Sequence, residues 1–317
     1  MLNNPPAPTR TQLEQIARAI DPNARIVSTR KLTGGTASRM DVLELDPNTG
    51  SMLKVVIRQY SEQADPLTGA RQRVESKLLR IFTANRVPAP RLVVGEDEIT
   101  RILGRPAIVI SYIDGTPDVT PADFGDWARQ VARATVQVHA LEVPQELKVL
   151  PRSYINTVTK WMAAGEPPEK FTKHILGAEL WDTMRELWPG VDTSANQLIH
   201  ADLWPGNTLW KDGTLLAIID WEWPALGEPS SDVAFFLTDV AYVGFDIERA
   251  FVEAYEQASG RPVRDLRFWK MMAAAIPLPD PGHWSIGYAR FGAKPITIDE
   301  NRRAHSEYIQ KLLNEAH

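Results

Sequence analysis

The chain contains no cysteine. That absence excludes disulfides and every thiolate metal site. Long apolar runs are missing as well. The longest candidate, Val233 to Phe245, is interrupted by Asp239 and falls short of the roughly 20 residues that a membrane span needs. No run of Lys and Arg marks a nucleic-acid surface. No internal repeat or low-complexity tract is visible. The opening residues, Met1-Leu2-Asn3-Asn4-Pro5-Pro6-Ala7-Pro8, lack the basic region and apolar stretch of a signal peptide, so a cytoplasmic location is expected. Neither nucleic acid nor membrane is expected as a partner.

What is present is a core-forming composition. Of 317 residues, 44% are hydrophobic and 24% charged, enough for about two domains. The net charge of −5 is unevenly spread. Residues 1–110 hold 16 Lys+Arg against 11 Asp+Glu, and the remaining 19 and 29 fall in 111–317, giving +5 and −10. A basic first part suits an anionic nucleotide and an acidic second part a cationic acceptor. Ordinary solvated surface explains the asymmetry equally well.

The patterning changes along the chain. A short helix is predicted after Thr9, with Leu13, Ile16, Ala17 and Ile20 on one face. Strands are predicted over Arg25 to Leu32, Met40 to Leu45 and Met52 to Tyr60, with a turn at Asp46-Pro47-Asn48-Thr49-Gly50. A helix over Arg71 to Asn85 follows, closed by Pro88 and Pro90, then strands over Arg91 to Val94 and Ala107 to Ile113. Beyond Gly115 helices are expected from Thr120-Pro121, over Glu169 to Leu187, and near Ser231 to Val243, Ile247 to Ala258 and Asp299 to Ala316. A strand-rich island covers Gln197 to Trp223. The expected fold is α+β with two lobes: residues 1–110, a small antiparallel sheet with one helix, and residues 111–317, a larger helical part, joined by a hinge near 110–115.

The chemistry concentrates in Leu198-Ile199-His200-Ala201-Asp202-Leu203-Trp204-Pro205-Gly206-Asn207. It contains H-x-D-x-x-x-x-N, the spacing of a phosphoryl-transfer loop. A carboxylate, Asp202, suits orientation of an attacking hydroxyl and acceptance of its proton. Asn207 supplies an oxygen to Mg²⁺. The apolar run Leu216-Ala217-Ile218-Ile219 ends in Asp220, and the Lys211-Asp212-Gly213 turn allows a hairpin that brings Asn207 and Asp220 to one metal. A lone Asp or Asn in a loop is more often a cap or turn residue, but three polar positions at this spacing, flanked by strand-like runs, favour a site. His200 is read as an orienting residue rather than a base.

Upstream, Lys31-Leu32-Thr33-Gly34-Gly35-Thr36-Ala37-Ser38 lies between two predicted strands, where Gly34, Gly35 and Ser38 would let backbone N–H groups approach phosphates; a plain hairpin turn is the bland alternative. Val55-Val56-Ile57-Arg58 parallels the strand that carries a phosphate-pairing lysine in protein kinases, V-A-I-K. Arg58 is preferred over Lys54, which shares its strand face, because it occupies the motif position; a solvated strand charge is the alternative for both. Glu75 on the following helix is its natural ion-pair partner, unless it is an ordinary surface glutamate. In Ile110-Ser111-Tyr112-Ile113-Asp114-Gly115, the backbones of Ser111 and Ile113 are the expected contacts for adenine.

Together these segments resemble the aminoglycoside phosphotransferase and choline kinase-like family over roughly residues 24–260. The most specific likeness is His200 to Asn207 with Ile219-Asp220-Trp221-Glu222, joined by Gly227-Glu228-Pro229-Ser230-Ser231-Asp232 against the family's G-D-P-x-x-D and by Val136-Gln137-Val138-His139. The resemblance implies a two-lobed protein-kinase-like fold, ATP or GTP as phosphoryl donor, Mg²⁺, Asp202 as catalytic carboxylate, and Asn207 and Asp220 as metal ligands. Arg58 departs from the usual lysine. Ala201 replaces the more frequent glycine, which is read as a minor change. Asp220-Trp221-Glu222 stands where protein kinases have D-F-G, and no activation loop is found, which argues against a regulated protein kinase. The same loop variant also occurs in fructosamine kinase-like members. Asp232 is expected to open a helix and cap or brace the catalytic loop, and His139 to hydrogen-bond in the helical core.

The acceptor should fall to the C-terminal elements. Ile276 to Gly292 mixes Pro277, Pro279, Pro281 and Gly282 with Trp284, Tyr288 and Phe291, whose faces could pack on a sugar or a cation; aromatic anchors of a surface loop are the bland reading. Glu222, Asp239 and Asp280 are candidate amine contacts. The expected activity is phosphorylation of a hydroxyl on an aminoglycoside-like or other amino or sugar alcohol, possible cationic acceptors included. A catalytically silent nucleotide-binding scaffold is the competing class.

Overall fold

The structure, a computed structural model, describes residues 5–32, 38–47, 50–61 and 68–315, the side chains of 68–70 excepted. The chain divides into two compact units, Met1–Asp114 and Gly115–His317.

The first unit is built on a five-stranded antiparallel sheet in the order β1-β2-β3-β5-β4: β1 Arg25–Lys31, β2 Ser38–Asp46, β3 Leu53–Tyr60, β4 Leu92–Val94 and β5 Ala107–Ser111. Period-2 alternation gives the sheet two faces. One carries Leu43, Leu45, Val55, Ile57 and Val109, which form a core with Leu13, Ile16 and Ala17 of α1 (Arg10–Ile20) and Ile99 and Leu103 of α3 (Glu96–Leu103). Thr9 caps α1 in a reciprocal capping box with Gln12. The other face carries Val42, Val56 and Arg58. The second helix, α2 (Thr68–Asn85), is pinned by Gln72, whose amide donates to the Ala107 carbonyl (2.6 Å) and to Thr100 Oγ1 (2.7 Å).

One expectation needs correction here. The unit holds α1 and α3 beside α2, so one helix was too few. The α3 signal was present: three acids in its first turn, Ile99 and Leu103 four apart, and Gly104 at φ +71 as a left-handed terminator.

The second unit is mainly helical. Its helices are α4 (Phe124–His139), α5 (Ser153–Ala164), α6 (Glu169–Thr172), α7 (Gly177–Leu187), α8 (Pro229–Ala241), α9 (Glu248–Ser259), α10 (Leu266–Ala275) and α11 (Ile298–Asn314). Two small sheets interrupt them, β6 (Gln197–Ile199) with β9 (Ala225–Gly227), and β7 (Thr208–Lys211) with β8 (Thr214–Ile218). The core gathers Val158, Phe171, Trp181, Met184, Ile199, Phe268 and Ile309. α4 starts from an Asp123 cap, whose carboxylate accepts from Asp126 N at 2.8 Å, rather than at Pro121. The single helix expected over 169–187 is two. Gly177 lies so close to the Phe171 carbonyl that a Cβ would stand 1.9 Å from it, and the chain turns there. No helix among the described residues is long and apolar enough to cross a membrane.

Candidate active site

In the second unit the chain leaves β6 with Leu198 and Ile199 buried, and turns sharply at Ala201, whose φ is +62. Asp232 of α8 makes the turn possible. Its carboxylate accepts from His200 N (2.6 Å) and Ala201 N (2.9 Å), while the Tyr154 hydroxyl donates to the Ala201 carbonyl (2.5 Å). A left-handed alanine is strained by roughly 1 kcal/mol. The Gly-to-Ala departure, read from sequence as minor, thus falls on a position where the side chain costs stability. Glu228, not Asp232, caps α8, accepting from Ser230 N. Asp232 braces the loop instead. His139 Nε2 stands 3.2 Å from the same carboxylate, and its Nδ1 lies 2.7 Å from the Tyr255 hydroxyl. Burial pushes the Asp232 carboxyl up, but His139 and the loop contacts outweigh it and hold it below the usual range.

His200 joins the two halves of the motif. Its Nδ1 accepts from Asp202 N at 3.3 Å, and its Nε2 lies 2.9 Å from the Ile219 carbonyl, which fixes the proton on Nε2. The ring packs 4.4 Å from that of Trp221. Burial lowers its pKa, so it serves as a neutral orienting group.

Asp202 is held by Asn207, whose Nδ2 donates to its carbonyl (2.9 Å) and its Oδ2 (3.2 Å). Burial first, then the charge of Asp220, push the Asp202 carboxyl up to about 7; Asn207 opposes this, and Asp239 and Asp232 add to it. A base near neutral pH is well matched to taking a proton. Asn207 ends a short 3-10 turn, Pro205–Asn207, and leads into β7. β7 and β8 form a hairpin whose two turn residues, Asp212 (φ +50) and Gly213 (φ +74), both adopt the left-handed region favoured in two-residue hairpins. Thr208 faces Ile218, and Ile219 N donates to the Asn207 carbonyl at 2.8 Å. Asn207 and Asp220 therefore flank the open end of one hairpin. Asp220 has φ +66, which Asp tolerates better than most residues.

The donor set fits Mg²⁺. Asn207 spends its amide nitrogen on Asp202, leaving Oδ1, and Asp220 offers a carboxylate; both are hard oxygen donors. Among the described residues no group of three His, Asp or Glu side chains forms a cage. Mg²⁺ bound through one or two protein oxygens and substrate phosphates needs none.

In the first unit Arg58 is buried and its Nη1 lies 2.9 Å from Glu75 Oε1; Tyr60 donates to the other oxygen at 2.5 Å. Tyr60 went unremarked in the sequence, although it sits two residues from Arg58 on the same strand face. Lys54 is half-exposed and pairs with Glu44 at 2.6 Å. Ser38 begins β2 opposite Tyr60, and Met40 stands opposite Arg58. Gly34 and Gly35 lie outside the described residues. Ser111 spends its N–H on the Arg91 carbonyl (2.8 Å) and accepts from Arg91 N through Oγ (2.9 Å), so its amide is not on offer to a base. Ser111 and Ile113 line a cleft of 380 Å³ against the segment after α2.

The acceptor-side expectations divide. Tyr288 is 1% exposed, and its hydroxyl donates to Asp239 Oδ2; Trp284 Nε1 donates to Asp239 Oδ1 at 2.8 Å. Of the two candidate acceptor contacts, Tyr288 is buried and serves as an anchor, whereas Trp284 is half-buried and anchors only through its Nε1. Burial pushes Asp239 up to about 6 against these two hydrogen bonds. Asp280 pairs through both oxygens with Arg302, at 2.9 and 2.8 Å. Glu222 is half-buried two residues past Asp220.

The chain matches the profile of the phosphotransferase enzyme family over residues 32–271. It is 28% identical to a homoserine kinase of Rhodospirillum rubrum over 215 residues, 63% of this chain and 62% of that one. It is 26% identical to a homoserine kinase of Gluconacetobacter diazotrophicus over 197 residues, 59% and 60% of the two chains. Among solved structures, aminoglycoside phosphotransferase APH(4)-Ia superposes with a TM-score of 0.60 at 17% identity, covering 97% of this chain and 100% of that one. A choline kinase of Streptococcus pneumoniae gives 0.60 at 15%, covering 96% and 99%. At such identities these structures speak for the fold, and the expected two-lobed kinase-like α+β fold is borne out.

Proposed function

The chain belongs to the phosphotransferase enzyme family, and from that premise we propose that it is an ATP- and Mg²⁺-dependent kinase that phosphorylates a hydroxyl on a small amino or sugar alcohol. One observation carries the reading: Asp202, raised toward neutrality, is clamped by Asn207 beside Asp220, on a loop that Asp232 and His200 hold rigid. Homoserine is the first acceptor to try, because the curated relatives that match are homoserine kinases. The matched stretch spans 62% and 60% of their length, so aminoglycosides, choline and sugar amines remain in the same trial.

In the proposed reaction Asp202 orients the acceptor O–H and takes its proton as the new O–P bond forms. The bond between the γ-phosphorus and the β–γ bridging oxygen breaks, and the electron pair leaves with the nucleoside diphosphate. Asn207 and Asp220 would hold Mg²⁺, which supplies charge neutralisation at the phosphates. Arg58, fixed by Glu75 and Tyr60, is the expected phosphate contact in the first unit; its pair is buried and formed, whereas Lys54 is engaged by Glu44. Cytoplasm, where ATP is plentiful, is the proposed location.

The test is transfer of labelled γ-phosphate across homoserine, choline, aminoglycosides, macrolides and sugar amines. One acceptor should be phosphorylated, with Asp202→Ala lowering kcat by about 10³-fold. Nucleotide binding without transfer to any acceptor would favour the silent scaffold.

A further inference from the structure

We propose that Asp239 is a positioning residue: through Trp284 and Tyr288 it holds the Pro281–Phe291 segment so that this segment fixes Trp204 and, with it, the Asp202–Asn207 loop. The proposal rests on the kinase reading above. Asp232 and Asp239 lie seven residues apart on α8, two turns along one face. Asp232 grips the loop at His200 and Ala201. Asp239 grips a different part of the chain: both of its oxygens accept from the Pro281–Phe291 segment, from Trp284 and from Tyr288.

That segment reaches the loop by two routes. On the first, the Trp204 ring, inside the motif, packs 5.7 Å from that of Tyr288 and 6.0 Å from that of Phe291. The indole folds over Gly206, where a Cβ would meet it at 2.2 Å, and closes on Gly287, where a Cβ would stand at 3.4 Å. Trp204 is thus wedged between its own loop and the segment that Asp239 anchors. On the second route, Trp284 stands edge-on to Phe235 at 5.9 Å, Phe235 stacks on Tyr154 at 5.7 Å, and Tyr154 donates to the Ala201 carbonyl. The first route ends on Trp204, two residues past Asp202, and the second on Ala201, the residue before it. Close-packed contacts transmit displacement, because a void or shift of a few tenths of an ångström is not absorbed in a dense interior. Proton acceptance and metal binding require atoms held to well under 1 Å.

The experiment uses Tyr288→Phe, Trp284→Phe, Asp239→Ala and Asp239→Asn in the full chain, each first checked for an unchanged far-UV spectrum and cooperative melting. With whichever acceptor the transfer assay identifies, Tyr288→Phe and Trp284→Phe should each lower kcat about tenfold and leave the KM for ATP within twofold. Asp239→Asn, which can still accept one of the two hydrogen bonds, should recover part of the activity lost in Asp239→Ala. The long-wavelength indole bands of the near-UV circular dichroism, where tyrosine does not absorb, should change in Tyr288→Phe and fail to change further when Trp204→Phe is already present. Folded Tyr288→Phe and Trp284→Phe variants with wild-type kcat would overturn the proposal. If the wild-type chain phosphorylates no acceptor, the kinase reading fails, and the dichroism alone then decides: a Tyr288→Phe spectrum whose change does not depend on Trp204 overturns the positioning role.

Discussion

The segments around Arg58 and around Asp202 treat buried charge in opposite ways. In the first, Arg58 and Glu75 are buried together at 2.9 Å, and each charge has its counter-ion. In the second, Asp202 feels the like charges of Asp220, Asp239 and Asp232 at once. Main-chain amides, an asparagine, a histidine and two aromatic donors hold these carboxylates, and no Lys or Arg is bound to Asp202, Asp232 or Asp239 among the described residues. A buried pair of opposite charges is self-sufficient. A crowd of carboxylates is stable only as far as burial raises some of their pKa values or a cation arrives. The comparison teaches where a divalent ion would relieve strain in this chain and where it would not.

That contrast can be broken by mutation. The largest stability effect should come from splitting the first unit's pair: Glu75→Ala leaves a buried guanidinium uncompensated and should cost about 3–5 kcal/mol in urea unfolding. Replacing both, Arg58→Met with Glu75→Leu, should recover most of that loss, because two apolar groups of similar size need no counter-charge. If the double variant is as unstable as the single, the pair is not self-contained.

The second unit should respond to pH through Asp239. The folded pKa of Asp239, about 6, lies above its unfolded value near 3.8. The folded chain therefore binds the proton more tightly in that window. Its stabilising share is complete below about pH 4 and is lost as pH rises to 6, by up to about 3 kcal/mol. Urea midpoints at pH 4.5 and 6.5 should show this downward slope with rising pH in the wild type and a flatter one in Asp239→Asn. Parallel slopes would mean that Asp239 is not held neutral.

Nucleotide affinity sharpens the comparison within the crowd. Asp220→Ala should weaken Mg²⁺-dependent binding of ATP by tenfold or more in calorimetry, and Asp202→Ala by no more than twofold, since only the first removes a proposed ligand. Equal losses would erase the division of labour. The smallest effect expected is a gain: Ala201→Gly relieves the left-handed alanine and should add about 1 kcal/mol, a rise in Tm of a few degrees.

Much of this was legible from residue spacing. His200, Asp202, Asn207 and Asp220 lie at separations that a two-residue turn converts into one hairpin end, and Asp212-Gly213 is a strong local signal for such a turn. The Arg58–Glu75 contact followed from a strand motif and the next helix. What sequence could not convey is which polar atoms other parts of the chain would consume. Ser111 looked available for adenine until Arg91 took its N–H. Whether Trp284 and Tyr288 were open aromatic faces or anchors could not be read until Asp239, 45 and 49 positions away, claimed both donors. Such partners are set by tertiary packing and leave no periodic trace. Ala201 shows the same limit at the backbone level. Its cost is invisible until Asp232 imposes the left-handed turn.

The short turn at Asp212-Gly213 also sets a rule for altering this chain. Gln130 of α4 receives Leu215 N and donates to the Gly213 carbonyl, so the tip is moored on both sides. Removing one residue from either strand would flip every later side chain to the opposite face and carry the Asp220 carboxylate with it. The ladder from Thr208–Ile218 to Lys211–Thr214 works as a ruler with one built-in offset: Leu216 is an extra residue on β8, between Ala217 opposite Leu209 and Leu215 opposite Trp210.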